Sequence, residues 1–445
     1  MKGQFTIWLF LIGILVCPSS GLTADLSLSG AVDTALSKNH HIQAARYGVL
    51  SSREKIIQAR SGAIPQVQIS EQLTHTTNPM WAFGTRLNQQ NITTSDFNPD
   101  RLNDPDAITN YSTVLSVLWP IYDSGQTWYS LAQANLSQEA AAISESSARQ
   151  QVIAETITAY IGVLLVRENK TVLQQILETA RSHLQLVQSR YDGGFVAKSD
   201  LLRARVHIAD LEQQMMEMKT RVDVAMCELN ISMGMDSNLQ YTLTSPLKPG
   251  NQVAEDLDIW VNKALSNRPE LKQLKLQKQI ALKEVDKSRA LRYPSVSLSG
   301  NYEINSEEFK DTGTNYTVGG MVSMPLFSGG RISSKIREAL VNLQQVQTHI
   351  KAMEQQVCAQ TRQAFFNARS AWNRIAVARA AIEQSQESLR IVKNRYENGL
   401  FTIADLLDAE LLVQQSLTRH LKAIHDYQLA VTRLDLAAGT IESSL

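Results

Sequence analysis

The chain has 445 residues with 43 basic and 43 acidic side chains, so its formal charge is zero and no basic field argues for nucleic acid. Only 11 Pro and 21 Gly interrupt a composition rich in Ala, Leu, Gln, Ser and Glu. This composition suits long helices rather than disorder.

Lys2 precedes an apolar run from Phe5 to Val16, too short for a membrane helix. Small residues follow at Ser19, Ser20, Gly21 and Ala24. Residues 1–24 therefore read as a secretory signal peptide, cleaved after Ala24 or alternatively after Gly21. Cys17 raises lipidation as an alternative, against which stands the bulky Val16 before it. No later stretch has the length and apolarity of a membrane helix, so entry into a membrane requires strands. Cys227 and Cys358 remain after cleavage, and export permits a disulfide.

Residues 28–62 carry a helical pattern, with Val32, Leu36, Ile42, Ala45, Val49 and Ile56 on the apolar side. Pro65 breaks it and the period becomes two. Val67, Ile69 and Leu73 then alternate with Gln68, Ser70 and Gln72, with Glu71 falling on the apolar side. Residues 75–109 read as a polar loop containing Pro79, Pro99 and Pro105. Alternation returns at Tyr111, Thr113, Leu115, Val117 and Trp119 and is expected to end at Pro120. From Gln126 to Arg190 there is no Pro and only Gly162, which predicts ~100 Å of helix at 1.5 Å per residue. A second helix of ~55 Å is expected from Ala197 to Met233.

The order then repeats. A helix is expected from Asp258 to Arg292, Pro294 echoes Pro65, and strands carry Val296, Leu298, Tyr302 and Ile304, then Tyr316, Val318 and Val322. Pro325-Leu326-Phe327 echoes Pro120-Ile121-Tyr122, and the first strand-to-strand loop is the longer one. The following helix has Ile332, Ile336, Ala339, Leu343, Val346, Ile350, Met353 and Val357 at alternating spacings of four and three, a heptad seam that falters at Gln360. The two shorter helices of each half match the long one in length when stacked end to end beside it, which places the strands at one end of a rod.

At the other end is a duplicated turn. Arg190-Tyr191-Asp192-Gly193-Gly194 runs on to Asp200-Leu201-Leu202, and Arg395-Tyr396-Glu397-Asn398-Gly399 runs on to Asp405-Leu406-Leu407. Gly194 and Gly399 permit the reversal, and capping and acidic residues open the next helix. The repeat also separates the cysteines. Cys227 lies 33 residues beyond Gly194 and Cys358 lies 41 before Gly399, so they differ in height by ~12 Å and are expected not to pair.

The four strands have the length of tilted membrane strands, each with one apolar and one polar face. Tyr111, Trp119, Tyr122, Trp128, Tyr129, Tyr293, Tyr316 and Phe327 are expected near strand ends as an interfacial girdle. Four strands cannot close a barrel, and lipid forbids open edges, so several protomers must share one. The alternative is a soluble periplasmic coiled-coil scaffold whose hairpins cover a helical bundle.

The duplicated tips ending in Asp-Leu-Leu, the prolines at Pro65, Pro120, Pro294 and Pro325, and the twice-given order helix–strand–strand–helix–helix resemble the TolC-type outer-membrane efflux family over the whole mature chain. The resemblance implies a mainly α fold in which long antiparallel helices form a periplasmic α-barrel. Four strands per protomer would join a twelve-stranded β-barrel in a homotrimer. It implies an exit duct in the outer membrane of a Gram-negative bacterium, working with a periplasmic adaptor and an inner-membrane pump of proton-driven or ABC type. A type I protein-secretion duct has the same architecture. The resemblance places a pore constriction at Asp405 and Asp408, makes Tyr396 part of its closure, and gives adaptor contacts to the tips at Gly194, Asp200, Leu201, Gly399 and Leu406. The arginine expected just after the second tip is absent, because Phe401 stands there.

The domain organisation expected is a first repeat over 25–234, an equatorial linker over 235–257 and a second repeat over 258–445. No nucleophile constellation, phosphate loop or cofactor motif is present, and His40-His41 is an adjacent pair whose rings point apart on a helix. The chain reads as a non-enzyme without a cofactor; its eight histidines are scattered, and the His40-His41 pair reads as solvated surface rather than a metal site.

Overall fold

A computed structural model describes residues 24–254 and 256–443. The signal-peptide assignment and Cys17 lie, Ala24 apart, outside the described residues. The elements occur twice in one order. Helices α1 (Leu28–Lys38) and α2 (His40–Ser61) lead to strands β2 (Gln66–Thr76) and β3 (Ile108–Tyr122), then to α5 (Gln126–Asp192) and α6 (Lys198–Met233). Helices α7 (Leu257–Asn267) and α8 (Pro269–Ala290) lead to β5 (Ser295–Ser306) and β6 (Gly313–Ser323), then to α9 (Arg331–Glu397) and α10 (Ile403–Ala438). The long helices α5 and α9 each have 67 residues, and α6 and α10 each have 36. The upper part of each long helix packs on the first helix pair of its repeat, and the lower part on the helix after the tip.

The expected single helices over 28–62 and 258–292 are each broken into two. Asn39 is extended at the first break, caps α2 through His41 N and sends its amide to the Ser232 carbonyl at 2.8 Å. At the second, Arg268 is extended because Pro269 opens α8, and the residue before proline avoids helical geometry. Each break is where another helix ends. Gly234 ends α6 at φ +70° and presses on Lys38 and Asn39, while Gly439 ends α10 at φ +70° and presses on Asn267 and Arg268.

The equator is closed by β1 (Ala24–Leu26) paired in parallel with β4 (Tyr241–Leu243). Tyr160, buried in α5, donates from its hydroxyl to the Leu26 carbonyl at 2.9 Å. The heptad seam of α9 is buried or half-buried throughout and continues beyond Gln360. It shifts by one place to Thr361, whose hydroxyl bonds the Val357 carbonyl at 2.8 Å, and proceeds through Ala368 and Ala371. Small residues there let α10 approach closely. Cys227 and Cys358 are free thiols.

The four long strands form one antiparallel sheet in the order β2-β3-β5-β6, so β2 and β6 are its free edges. Its register aligns Ile69, Leu115, Tyr302 and Tyr316 across one face and Gln68, Ser116, Asn301 and Thr317 across the other. The apolar side is open to solvent in the single chain, with Ile69 72%, Tyr316 77% and Val318 76% exposed. Pro120 does not end its strand. β3 continues to Tyr122 past a register shift between Pro120 and Tyr122, where proline cannot donate to the ladder. Trp119, Tyr122 and Tyr293 do lie at the helix end of the sheet, but Tyr316 sits opposite Tyr302 in its body.

The segment 75–109 is not an unstructured loop. It contains helices α3 (Pro79–Asn88) and α4 (Pro99–Asn103), each opened by an asparagine cap and a proline in the first turn. Asn88 at the end of α3 lies so close to Gly313 that a Cβ there would sit 2.1 Å from its carbonyl. Gln89 bonds Asn110, which bonds Asn305, at 2.9 and 2.8 Å. The segment is thereby fixed across the strand ends remote from the tips.

Candidate functional site at the hairpin tips

Both tips close by the same hydrogen bonds. Phe195 N–H donates to the Arg190 carbonyl at 2.8 Å and Gly194 N–H to Tyr191 at 2.9 Å, with Gly194 at φ +77°. Leu400 and Gly399 make the corresponding bonds to Arg395 and Tyr396 at 2.9 and 3.0 Å, with Gly399 at φ +71°. This is the six-to-one, five-to-two termination that left-handed glycine permits.

The helix starts differ. Thr402 caps α10 in a reciprocal pair with Asp405, whose carboxylate accepts from the Thr402 N–H at 2.9 Å and hydroxyl at 2.7 Å. Those bonds hold the Asp405 carboxyl below its usual range. In α6 the cap position is Ala197, which offers no side-chain bond, so Asp200 does not repeat this role. Asp408, one turn beyond Asp405, is exposed and among the described residues makes no ion pair or hydrogen bond.

The two hairpins meet through an apolar cluster of Val187, Leu201, Tyr396, Ile403 and Leu406. Leu201 and Leu406, expected as adaptor contacts, are 4% and 0% exposed and hold the hairpins to each other instead. The large side chains that the tips do present outward are Phe195 and Leu400, 84% and 73% exposed. Gly194 and Gly399 are exposed and Asp200 half-buried.

Tyr396 is 4% exposed, and burial pushes its hydroxyl above the usual range; the Arg190 guanidinium opposes this and Asp200 adds to it. Arg190 lies with its guanidinium 5.2 Å from the Tyr396 ring centre. It donates to the carbonyls of Tyr396 at 3.0 Å and Glu397 at 2.7 Å. An arginine from the first hairpin thus occupies the C-terminus of the long helix of the second, where a cation is favoured. Phe401 joins the same cluster, with Arg395 stacked over its ring at 5.3 Å. Arg190 carried no distinguishing signal in the sequence beyond its repetition as Arg395.

The sequence model described as "Outer membrane efflux protein" matches residues 31–235 and 260–440. The chain belongs to the outer membrane efflux protein family: it is an outer-membrane channel protein of TolC type and not an enzyme. It is 24% identical to the alkaline protease secretion protein AprF of Pseudomonas aeruginosa, over 98% of this chain and 89% of the relative. It is 22% identical to the outer membrane protein TolC of Escherichia coli, over 97% of this chain and 86% of the relative. The crystal structure of the Campylobacter jejuni CmeC outer membrane channel superposes with a TM-score of 0.74 at 18% identity, covering 93% of this chain and 86% of that one.

Proposed function

We propose that three copies of this chain close one barrel and form the exit duct of a tripartite efflux system. A periplasmic adaptor and an inner-membrane pump would deliver substrate to the tips. The observation that carries this reading is the four-stranded sheet: an exposed apolar face, a polar face, and two unpaired edges, β2 and β6. In lipid such edges must find partners, and a neighbouring protomer supplies them without adding a new element. The long helices, ~100 Å each, extend the duct into the periplasm.

At the entrance, Asp405 and Asp408 share a helix face three residues apart. In a trimer they make a ring of carboxylates, which attracts cations and repels anions. Tyr396, tied by Arg190, holds the two hairpins of a protomer together beside that ring. Phe195 and Leu400 at the tips give an adaptor apolar groups to bury.

The similarity to a protease secretion protein favours a second reading, a type I secretion duct with protein cargo. To separate them, the chain is expressed together with any adaptor and pump genes that neighbour its own, in a host lacking its own duct. Lowered accumulation of a fluorescent dye supports efflux. A protein cargo in the medium with unchanged dye accumulation supports secretion.

A further inference from the structure

Three titratable side chains outside the tip cluster face one another inside the helical rod, about three turns (~16 Å) from the tip glycines. His183 of α5 and Glu410 of α10 are 7% and 4% exposed, and the His207 side chain of α6 is 18% exposed. His183 Nδ1 is in direct contact with Glu410 Oε1, and His207 Nε2 lies 4.0 Å from Glu410 Oε2. Among the described residues neither carboxylate oxygen, nor His183 Nδ1 or His207 Nε2, has a hydrogen-bond partner. One carboxylate of the second hairpin therefore faces an imidazole from each helix of the first.

A carboxylate withdrawn from water is costly unless a cation or several donors face it, and a set that loses one member is worse than no set. The other charged groups on the surrounding helices are exposed or engaged. On α5 and α6, Arg181 and Glu212 pair with each other at 2.8 Å. On α6, Arg203 is exposed and Asp210 accepts from Gln214 at 2.8 Å. On α9, Glu387 and Arg390 close on each other at 2.7 Å, and on α10, Asp408 is exposed. Counter-charge for Glu410 must come from the two imidazoles, and histidine is the side chain that changes charge between about pH 5 and 8. No group of three or more metal-ligating side chains among the described residues is placed to hold an ion.

We propose that His183, His207 and Glu410 form a proton-operated latch between the two hairpins. With an imidazole protonated, the buried carboxylate has its counter-charge and the hairpins are held together. As pH rises through the histidine range, the carboxylate stays charged and loses that partner, and the contact weakens.

The test is amide hydrogen exchange of the full-length, lipid-reconstituted protein over pH 4–8.5, corrected for intrinsic exchange and read in peptides spanning 180–190 and 403–414. The parent should show at least threefold faster exchange at pH 8.5 than at pH 6. Glu410→Gln should lose the alkaline weakening, because an amide keeps the shape and carries no charge for an imidazolium to meet. His40→Gln, a surface control, should keep the parent profile. If Glu410→Gln does not assemble, His183→Gln and His207→Gln are read instead, and each should flatten the alkaline limb. A parent-like profile in all the latch variants that assemble overturns the proposal. So does a parental pH response that EDTA abolishes, which would assign it to a bound metal ion.

Discussion

The guanidinium of Arg190 stands 5.2 Å from the centre of the Tyr396 ring and donates to the Tyr396 carbonyl at 3.0 Å. One side chain thus joins the end of the long helix of the first hairpin to the end of its counterpart in the second. Two charge-assisted bonds are lost in Arg190→Ala, at a cost on the order of 1–2 kcal/mol of inter-hairpin contact. Lysine should not restore it, since a point charge cannot reach two carbonyls and stack on a ring together. Faster amide exchange over 394–400 and higher single-channel conductance in both variants are the expected results. Unchanged exchange would mean that the apolar cluster alone joins the tips.

The two tip aspartates should separate in their effects. Thr402→Ala removes the cap of α10 and should cost about 1 kcal/mol and fray its first turn. Asp408→Ala should leave stability within about 0.5 kcal/mol and weaken the channel's preference for cations. The folded Asp405 carboxyl titrates below its usual value. Its contribution is therefore fully present above the unfolded value of ~3.9 and is lost as pH falls through the lower folded value. Exchange at the start of α10 should rise below about pH 4, and Asp405→Asn should remove that rise. Planar-bilayer reversal potentials check the other half: an Asp408→Ala channel with parental selectivity would place the constriction elsewhere.

Gly234 and Gly399 have the same left-handed backbone in different surroundings. At Gly399 an added Cβ meets nothing within 4 Å, and at Gly234 it would lie 2.6 Å from the Lys38 carbonyl. Gly399→Ala should cost only the conformational ~1–2 kcal/mol. Gly234→Ala must also push α6 off the α1–α2 break, and should lower the helix melting temperature more. Equal shifts would show that the break at Asn39 yields freely.

The repeat, the strand faces and both tips were legible because each leaves a local signature: period two, a four-three seam, glycine at a helix end. Pro79 and Pro99 are legible in principle as helix openers, since each follows an asparagine cap, but the surrounding Asn, Asp and Thr give the segment the composition of a loop. The breaks at Asn39 and Arg268 are set by the ends of α6 and α10 packing against them, which no local window contains. The same holds for Arg190 on Tyr396 and for the burial of His183, which lies in the apolar stripe of Leu173, Leu177, Ala180 and Val187. A polar residue interrupting such a stripe is the available signal, and it is not visible in the scatter of the eight histidines alone.

The segment carrying α3 and α4 lies at the strand end of the rod, between strands whose other ends lead back to the periplasmic helices. An epitope inserted near Asn98 should therefore bind antibody on intact cells. Binding only after permeabilisation of the outer membrane would invert the sheet.

In the proposed duct the free edges β2 and β6 are joined by neighbouring copies. Native mass spectrometry of detergent-extracted protein from outer membranes measures this. The prediction is a particle of three chains that requires detergent for solubility. A single chain recovered in aqueous extract would contradict it.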